Sequence, residues 1–178
     1  MKNALAILSM TVLTGLIMSA CGSDGPGTND QARKEAADLV TEAETAYVSA
    51  SGKMNAIFKE SPGANKVAFM KGKKAQFEEV SSGFKTAAEK FEMASAKFDR
   101  ALNGGRSGDS PLHTRFARLR DAYKKFSELA AVENQVAREA INIKDVESFL
   151  TKLKTLELKM DELRKEVDSQ MSSARAAF

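Results

Sequence analysis

Residues 77–101 read FEEVSSGFKTAAEKFEMASAKFDRA, and this stretch decides the fold class. A phenylalanine recurs every seven residues, and a smaller apolar residue stands three positions after each ring. The rings, here called the Phe ladder, are Phe77, Phe84, Phe91 and Phe98, and the smaller residues are Val80, Ala87, Ala94 and Ala101. Apolar residues spaced alternately by three and four positions predict a helix that packs along one seam against other helices.

The same apolar spacing recurs on both sides of the ladder. It predicts four helices, over about residues 30–60, 64–102, 111–142 and 145–174. Pro62-Gly63 separates the first two helices, and the glycine-rich loop 103–109 separates the second from the third. Asp145 is predicted to cap the fourth helix. Because the bend at 142–145 contains neither glycine nor proline, a continuous third and fourth helix stays open as an alternative.

These helices predict an all-α fold. Segments of about 30 to 40 residues form rods of roughly 45 to 60 Å, and short connections favour antiparallel neighbours. The predicted architecture is an elongated up-down-up-down four-helix bundle with coiled-coil-like heptad packing. A hairpin about Pro62 and Gly63 would place Tyr47 near Phe77 and Gly52 near Gly72, where the two backbones could approach or bend.

The amino terminus has the features of an export signal. Lys2 is followed by an apolar run over residues 4–18, and small residues stand directly before Cys21, the only cysteine. The segment Ile17-Met18-Ser19-Ala20-Cys21 resembles the lipobox of bacterial lipoproteins. The resemblance implies diacylglycerol on the Cys21 thiol, cleavage before Cys21, and acylation of the new amino terminus, for example with palmitate.

This resemblance divides the chain into three parts. Residues 1–20 are predicted as a lipoprotein signal peptide, residues 21–29 as the lipidated Cys21 and a flexible tether, and residues 30–178 as the helical bundle domain. Ordinary secretion is the alternative, whereas the apolar run is shorter than the roughly 20 residues of a membrane-spanning helix. Gly22 is not the aspartate typical of lipoproteins kept at the inner membrane, so the periplasmic leaflet of an outer membrane is favoured where one exists.

Composition excludes several kinds of chemistry. Lys and Arg number 27 against 24 Asp and Glu, so the net charge of +3 gives no case for nucleic-acid binding. An acylated Cys21 leaves no thiol for a disulfide, a zinc site or a nucleophile. His113 is the only histidine, and Ser110 stands three residues before it, so the Glu-x-x-His pairs of di-iron bundles are missing. We predict no catalytic residue, no metal and no cofactor, and thus not an enzyme.

Two alternatives for bound groups remain. Haem held between His113 and a methionine is one, although Met54, Met70 and Met160 fall on the helix seams and are typical core residues. The other is an apolar ligand or lipid carried along the Phe ladder in the bundle core. Both compete with the simpler interpretation of these side chains as packed core.

Basic residues gather where the predicted bundle meets its tether. Arg100, Arg106, Arg115 and Arg118 form a candidate membrane-facing basic patch, in which each exposed cation contributes up to about 1 kcal/mol toward anionic headgroups. A second cluster at the far end, which includes Lys66, Lys71, Lys73 and Lys74, would suit a partner's acidic surface.

The predicted function is that of a lipid-anchored cell-envelope lipoprotein. Its rigid helical bundle would bind or scaffold another envelope component, and the carrier along the Phe ladder is the alternative. Expected partners are the membrane, through lipid on Cys21, and an envelope protein. Self-association through Leu39, Leu150 and Leu158 is a further expectation.

Overall fold

The computed structural model describes residues 28–60, 65–103 and 111–176, and every regular element within them is an α-helix. The helices are α1 (Thr28–Lys59), α2 (Lys66–Gly72), α3 (Lys74–Asn103), α4 (Pro111–Ile141) and α5 (Val146–Ala176). The all-α prediction is confirmed, and α1 begins two residues inside the predicted tether. Cys21, the Pro62-Gly63 turn and Arg106 lie outside the described residues.

The predicted second helix is in fact two helices. α2 follows Asn65, whose side-chain oxygen accepts a hydrogen bond from the backbone N–H of Ala68 at 3.0 Å. It ends at Gly72, and Lys73 forms a turn whose N–H donates to the carbonyls of Phe69 and Met70 at 3.2 and 3.1 Å. Glycine is unfavourable inside a helix because it loses the most backbone entropy. The prediction of one continuous helix over 64–102 is therefore wrong at this point.

The chain breaks again between α4 and α5. The Asn142 side chain donates to the carbonyl of Arg138 at 2.9 Å, and the Asp145 carboxylate accepts from the backbone N–H of Ser148 at 2.7 Å. Ile143, between them, is buried in the core. Asp145 is thus the predicted N-cap, and the alternative of one continuous helix is wrong.

Neighbouring long helices run antiparallel. α3 packs against both α1 and α4, and α5 packs against α4. In each pair, residues early in one helix contact residues late in the other. Examples are Lys53 to Glu79 and Glu35 to Lys97 for α1 and α3, Ser81 to Asn134 and Ser95 to Arg120 for α3 and α4, and Glu139 to Lys152 and Arg118 to Gln170 for α4 and α5.

The Phe ladder lies at the centre of the core. All four of its rings are fully buried, as are Val80, Ala87 and Ala94. Phe91 stacks on Phe126 of α4 with 5.2 Å between ring centroids, and Phe98 stacks on Tyr123 at 5.6 Å. The predicted burial of this side of α3 is confirmed, and aromatic rings from α4 pack beside it. Met54, Met70 and Met160 are also buried, as predicted.

α1 is displaced along α3 from the predicted register by one heptad. Tyr47 meets the ring of Phe84, with centroids 5.6 Å apart, and not the ring of Phe77. Phe77 instead contacts Phe58 at 5.9 Å. The pairing of the two helices begins at an ion pair between Glu60 and Lys73, 2.6 Å apart. Because the chain breaks at Lys73, α2 belongs to the connection between α1 and α3, and the hairpin is longer than predicted.

α1 approaches α3 closely at Gly83. A Cβ atom at this position would lie 2.9 Å from Ala50 Cβ and 3.6 Å from the carbonyl oxygen of Ala46. At Gly52 and Gly72, by contrast, a Cβ atom would meet nothing within 4 Å. The predicted close approach of Gly52 to Gly72 is therefore wrong, since the shifted register brings a different glycine to the interface.

Gly83→Ala is expected to destabilise the fold, although alanine favours helices by about 1 kcal/mol over glycine. The new methyl must push α1 away from α3, and such overpacking costs about 1 to 3 kcal/mol. Gly52→Ala, the matched control, should stabilise by up to about 1 kcal/mol. Urea unfolding of both variants and of the rescue pair Gly83→Ala/Ala50→Gly tests this; equal stabilisation by both single changes would contradict the close approach.

Candidate functional site

A buried polar cluster joins three helices. The hydroxyl of Tyr47 on α1 donates to Glu133 Oε1 on α4 at 2.8 Å, and Arg164 Nη2 on α5 donates to the same oxygen at 3.1 Å. Glu133 is 0% exposed, and the Arg164 side chain is 17% exposed. Ser51, also buried, faces the same carboxylate from α1. We call these four residues the Glu133 cluster.

Burial dominates the electrostatics of this cluster. Removal from water raises the pKa of Glu133 above its ordinary value, while the hydrogen bond from Tyr47 and the charge of Arg164 lower it by less. Burial, together with the negative charge of Glu133, also raises the pKa of Tyr47. The cluster therefore holds one carboxyl between a phenol and a guanidinium, an arrangement suited to fixing three helices together.

A second polar spot lies between α1 and α4. Burial raises the pKa of the Glu44 carboxyl from 4.5 to about 7. Glu44 Oε1 is buried without a hydrogen-bond partner, and so is the hydroxyl of Tyr123, which is 0% exposed. The charge of Glu44 contributes to a raised pKa of Tyr123, after the larger effect of burial. Of the two groups, only the Glu44 carboxyl is expected to titrate near neutral pH.

One feature of the sequence points to the Glu133 cluster. The apolar heptad of α4 shifts near Ala130 and Glu133, a shift compatible with a stutter. A carboxylate at a buried seam position needs a partner, and Arg164 stands directly after the seam residue Leu163. The sequence analysis did not predict that the side chains of Glu133 and Arg164 contact each other.

The described residues show little that resembles an active site. Within residues 28–60, 65–103 and 111–176, no three or more His, Cys, Asp or Glu side chains are grouped to hold a metal ion. His113 is half-buried in the first turn of α4. A cleft of about 520 Å³ between α4 and α5 has walls of mixed charge, with Lys124, Lys125 and Lys165 against Asp121, Glu128 and Glu166. Such a lining selects neither anions nor cations.

The structure divides the candidate basic patch. Arg100 and Arg118 are exposed at the end of α3 and near the start of α4, and Arg118 Nη1 donates to Gln170 Oε1 at 3.4 Å. Arg115 is only 2% exposed, because it lies beside Phe116 on the buried side of α4. Arg115 is therefore not exposed together with Arg100 and Arg118, and Arg106 lies outside the described residues.

Large apolar side chains on the surface are scattered. Leu158 is 66% exposed and Leu150 is 37% exposed, both on α5, whereas Leu39 is half-buried and packs against the core. None of the helices in the described parts of the chain is both long and apolar enough to cross a membrane. Isolated exposed apolar residues are normal on protein surfaces.

Comparison with known proteins identified no relative. No protein-family model matches the chain, and neither the curated proteins nor the solved structures gave a significant match.

Proposed function

We propose that this chain is a lipid-anchored protein of the cell envelope, whose helical domain binds or scaffolds another envelope component. The observation that carries the role of the domain is its filled core. The four ladder rings are fully buried and stack on rings of α4, so the exposed outer faces of the helices are what the domain offers to a partner. The anchor rests on the lipobox resemblance of residues 17–21.

We also propose the finer architecture of an elongated up-down-up-down four-helix bundle with coiled-coil-like packing, in which α2 is part of a connection. Two observations support it. The neighbouring long helices are antiparallel, and buried residues recur at heptad spacing on α3 and α5. A rigid rod of this kind suits a scaffold better than a catalyst, and we propose that the protein is not an enzyme.

The packing does not favour the carrier alternative. A tunnel for an apolar ligand needs open space along the ladder, whereas Phe91 and Phe98 each stack on two rings of α4. A protein partner or a second copy would instead meet the outer helix faces, where Leu158 and Leu150 offer apolar contacts on α5.

Cys21→Ser is expected to abolish lipid attachment, since Cys21 supplies the only thiol for acylation. The variant should remain unprocessed or become soluble. Flotation of membranes on a density gradient, with a labelled fatty acid, measures both effects. Ser19→Thr, which leaves the thiol in place, serves as a control and should still be labelled. If the serine variant floats with the membranes and the wild type takes up no label, the anchor proposal fails.

Arg100 and Arg118, the two exposed arginines of the candidate basic patch, are expected to attract the domain to anionic lipid. Arg100→Glu/Arg118→Glu should weaken binding of the unlipidated domain to vesicles rich in phosphatidylglycerol at low salt, because attraction between exposed charges is screened within about 10 Å at ordinary salt. The control, Lys71→Glu/Lys74→Glu, reverses two exposed cations near the junction of α2 and α3. Vesicle co-sedimentation that shows equal losses for both pairs would contradict a membrane-facing position of Arg100 and Arg118.

A further inference from the structure

Within the described residues, α5 differs from the other long helices in lacking ring-to-ring contacts, although α1, like α5, packs closely against a single long helix. α3 packs against α1 and α4, and ring contacts tie these three helices together through Tyr47, Phe84, Phe91 and Tyr123. α5 packs against α4, and within the described residues its backbone makes at most marginal contact with α1 or α3. It contains a single ring, Phe149, in its first turn. Its remaining buried residues are Leu156, Met160, Leu163, Val167, Met171 and Ala174.

One of the ion pairs made by α5 has a deeply buried partner. Lys125 to Glu166 at 3.0 Å and Lys152 to Glu139 at 2.8 Å are partly exposed pairs, and pairs of this kind contribute about 0 to 1 kcal/mol. Arg164 is different, because its partner Glu133 is fully buried and also holds Tyr47 of α1. Through this carboxylate, α5 is joined to both α4 and α1.

The junction at this carboxylate is incompletely satisfied. Glu133 Oε2 and Ser51 Oγ are buried without a well-formed hydrogen bond. These atoms have lost their hydration without gaining a good hydrogen bond, and water would hydrate them again if α5 moved away from α4. Separating α5 from α4 at this point therefore costs less free energy than separating the stacked aromatic rings of α3 and α4. α5 also keeps its own N-cap, since Asp145 accepts the N–H of Ser148 from outside the α4 interface. The helix can therefore persist when it leaves α4.

We propose that α5 is a hinged arm, latched against the α1, α3 and α4 body by the buried pair of Glu133 and Arg164. The turn at residues 142–145 is the hinge. α5 moves away as one helix while α1, α3 and α4 stay packed together. This movement exposes the buried apolar residues of α5 and the side of α4 that they cover. The latch fixes the register of α5, because Arg164 reaches the carboxylate only when the helix is docked.

Hydrogen exchange of the full chain, followed by mass spectrometry, tests the arm. In the wild type, amides of residues 146–176 should exchange faster than those of the middle of α3 and respond less to small amounts of denaturant, as a partial opening does. Arg164→Met leaves Glu133 buried and unpaired, so exchange in α5 should rise by on the order of 100-fold while α3 changes far less. Arg118→Met, which removes an exposed cation from the same interface, is the matched control.

A second variant separates the latch from a general loss of stability. Tyr47→Phe/Glu133→Met/Arg164→Met removes both charges together with the hydroxyl that donates to Glu133, and should return exchange in α5 to within about 10-fold of the wild type, since an apolar replacement of a whole buried polar group is often neutral. If α3 and α5 lose protection together, or if Arg164→Met behaves like Arg118→Met, the arm does not exist. If Arg164→Met does not fold, the denaturant dependence of wild-type exchange decides, and a shared opening of α3 and α5 would overturn the proposal.

Discussion

Replacing Phe91 by alanine is expected to lower the free energy of unfolding by about 3 to 5 kcal/mol, the largest effect of any single substitution considered. The ring is 0% exposed and stacks on Tyr123 at 6.0 Å and on Phe126 at 5.2 Å. Removing the ring loses the free energy of its burial. It also leaves a cavity whose lining atoms lose their contacts, because the stacked neighbouring rings cannot fill the space without leaving their own rotamers.

The matched control is Met93→Ala, two residues further along the same helix. Met93 is 50% exposed, so its loss should change stability by no more than about 0.5 kcal/mol. Denaturant unfolding followed by far-UV circular dichroism measures both variants. A small loss for Phe91→Ala, similar to that of Met93→Ala, would show that the ladder lines open space and would revive the carrier alternative.

Glu44→Gln is expected to make the protein more stable at alkaline pH and to leave it unchanged in acid. Burial raises the pKa of Glu44 from 4.5 to about 7, so the folded form holds this proton more tightly than the unfolded form. The contribution of Glu44 to stability is therefore fully present below about pH 4.5 and is lost as the pH rises through about 7. Glutamine has no charge to bury, and its advantage at pH 9 should be on the order of 1 kcal/mol, because solvent still screens this half-buried carboxyl.

Thermal unfolding across this pH range, with Glu42→Gln as the control, tests the origin of the effect. Glu42 is exposed and paired with Lys90, so its replacement should bring no gain at high pH. If the difference between Glu44→Gln and the wild type stays constant from acid to alkaline pH, burial of the Glu44 carboxyl has no energetic consequence and the structure of this spot is wrong.

The Phe ladder was predictable from sequence because a heptad of rings reports directly which side of a helix is buried. The break at Lys73 was not, since the heptad continues through it and the low helix propensity of Gly72 alone does not end a helix. The register of α1 depended on that break. With the break missed, Tyr47 was assigned to Phe77, and the close approach was placed at Gly52 and not at Gly83.

The polar features required knowledge of which residues meet across helices. Glu133 and Arg164 lie 31 residues apart, and nothing local to either one indicates the other. Arg115 shows the opposite difficulty, since a long charged side chain next to a seam residue can be buried or can reach the surface, depending on the neighbouring helices. The sequence therefore predicted the apolar core well and the buried charges poorly.

Native mass spectrometry of the protein extracted from its own membrane tests the lipid anchor and the binding role together, since one spectrum reports processing, lipid, ligand and partner. We expect a chain that begins at Cys21 and carries acyl groups, bound to a second protein or to another copy. Release of the partner should leave no further apolar ligand on the domain. An unprocessed chain of 178 residues without lipid, or a processed chain that retains a stoichiometric apolar ligand and no protein partner, would contradict it.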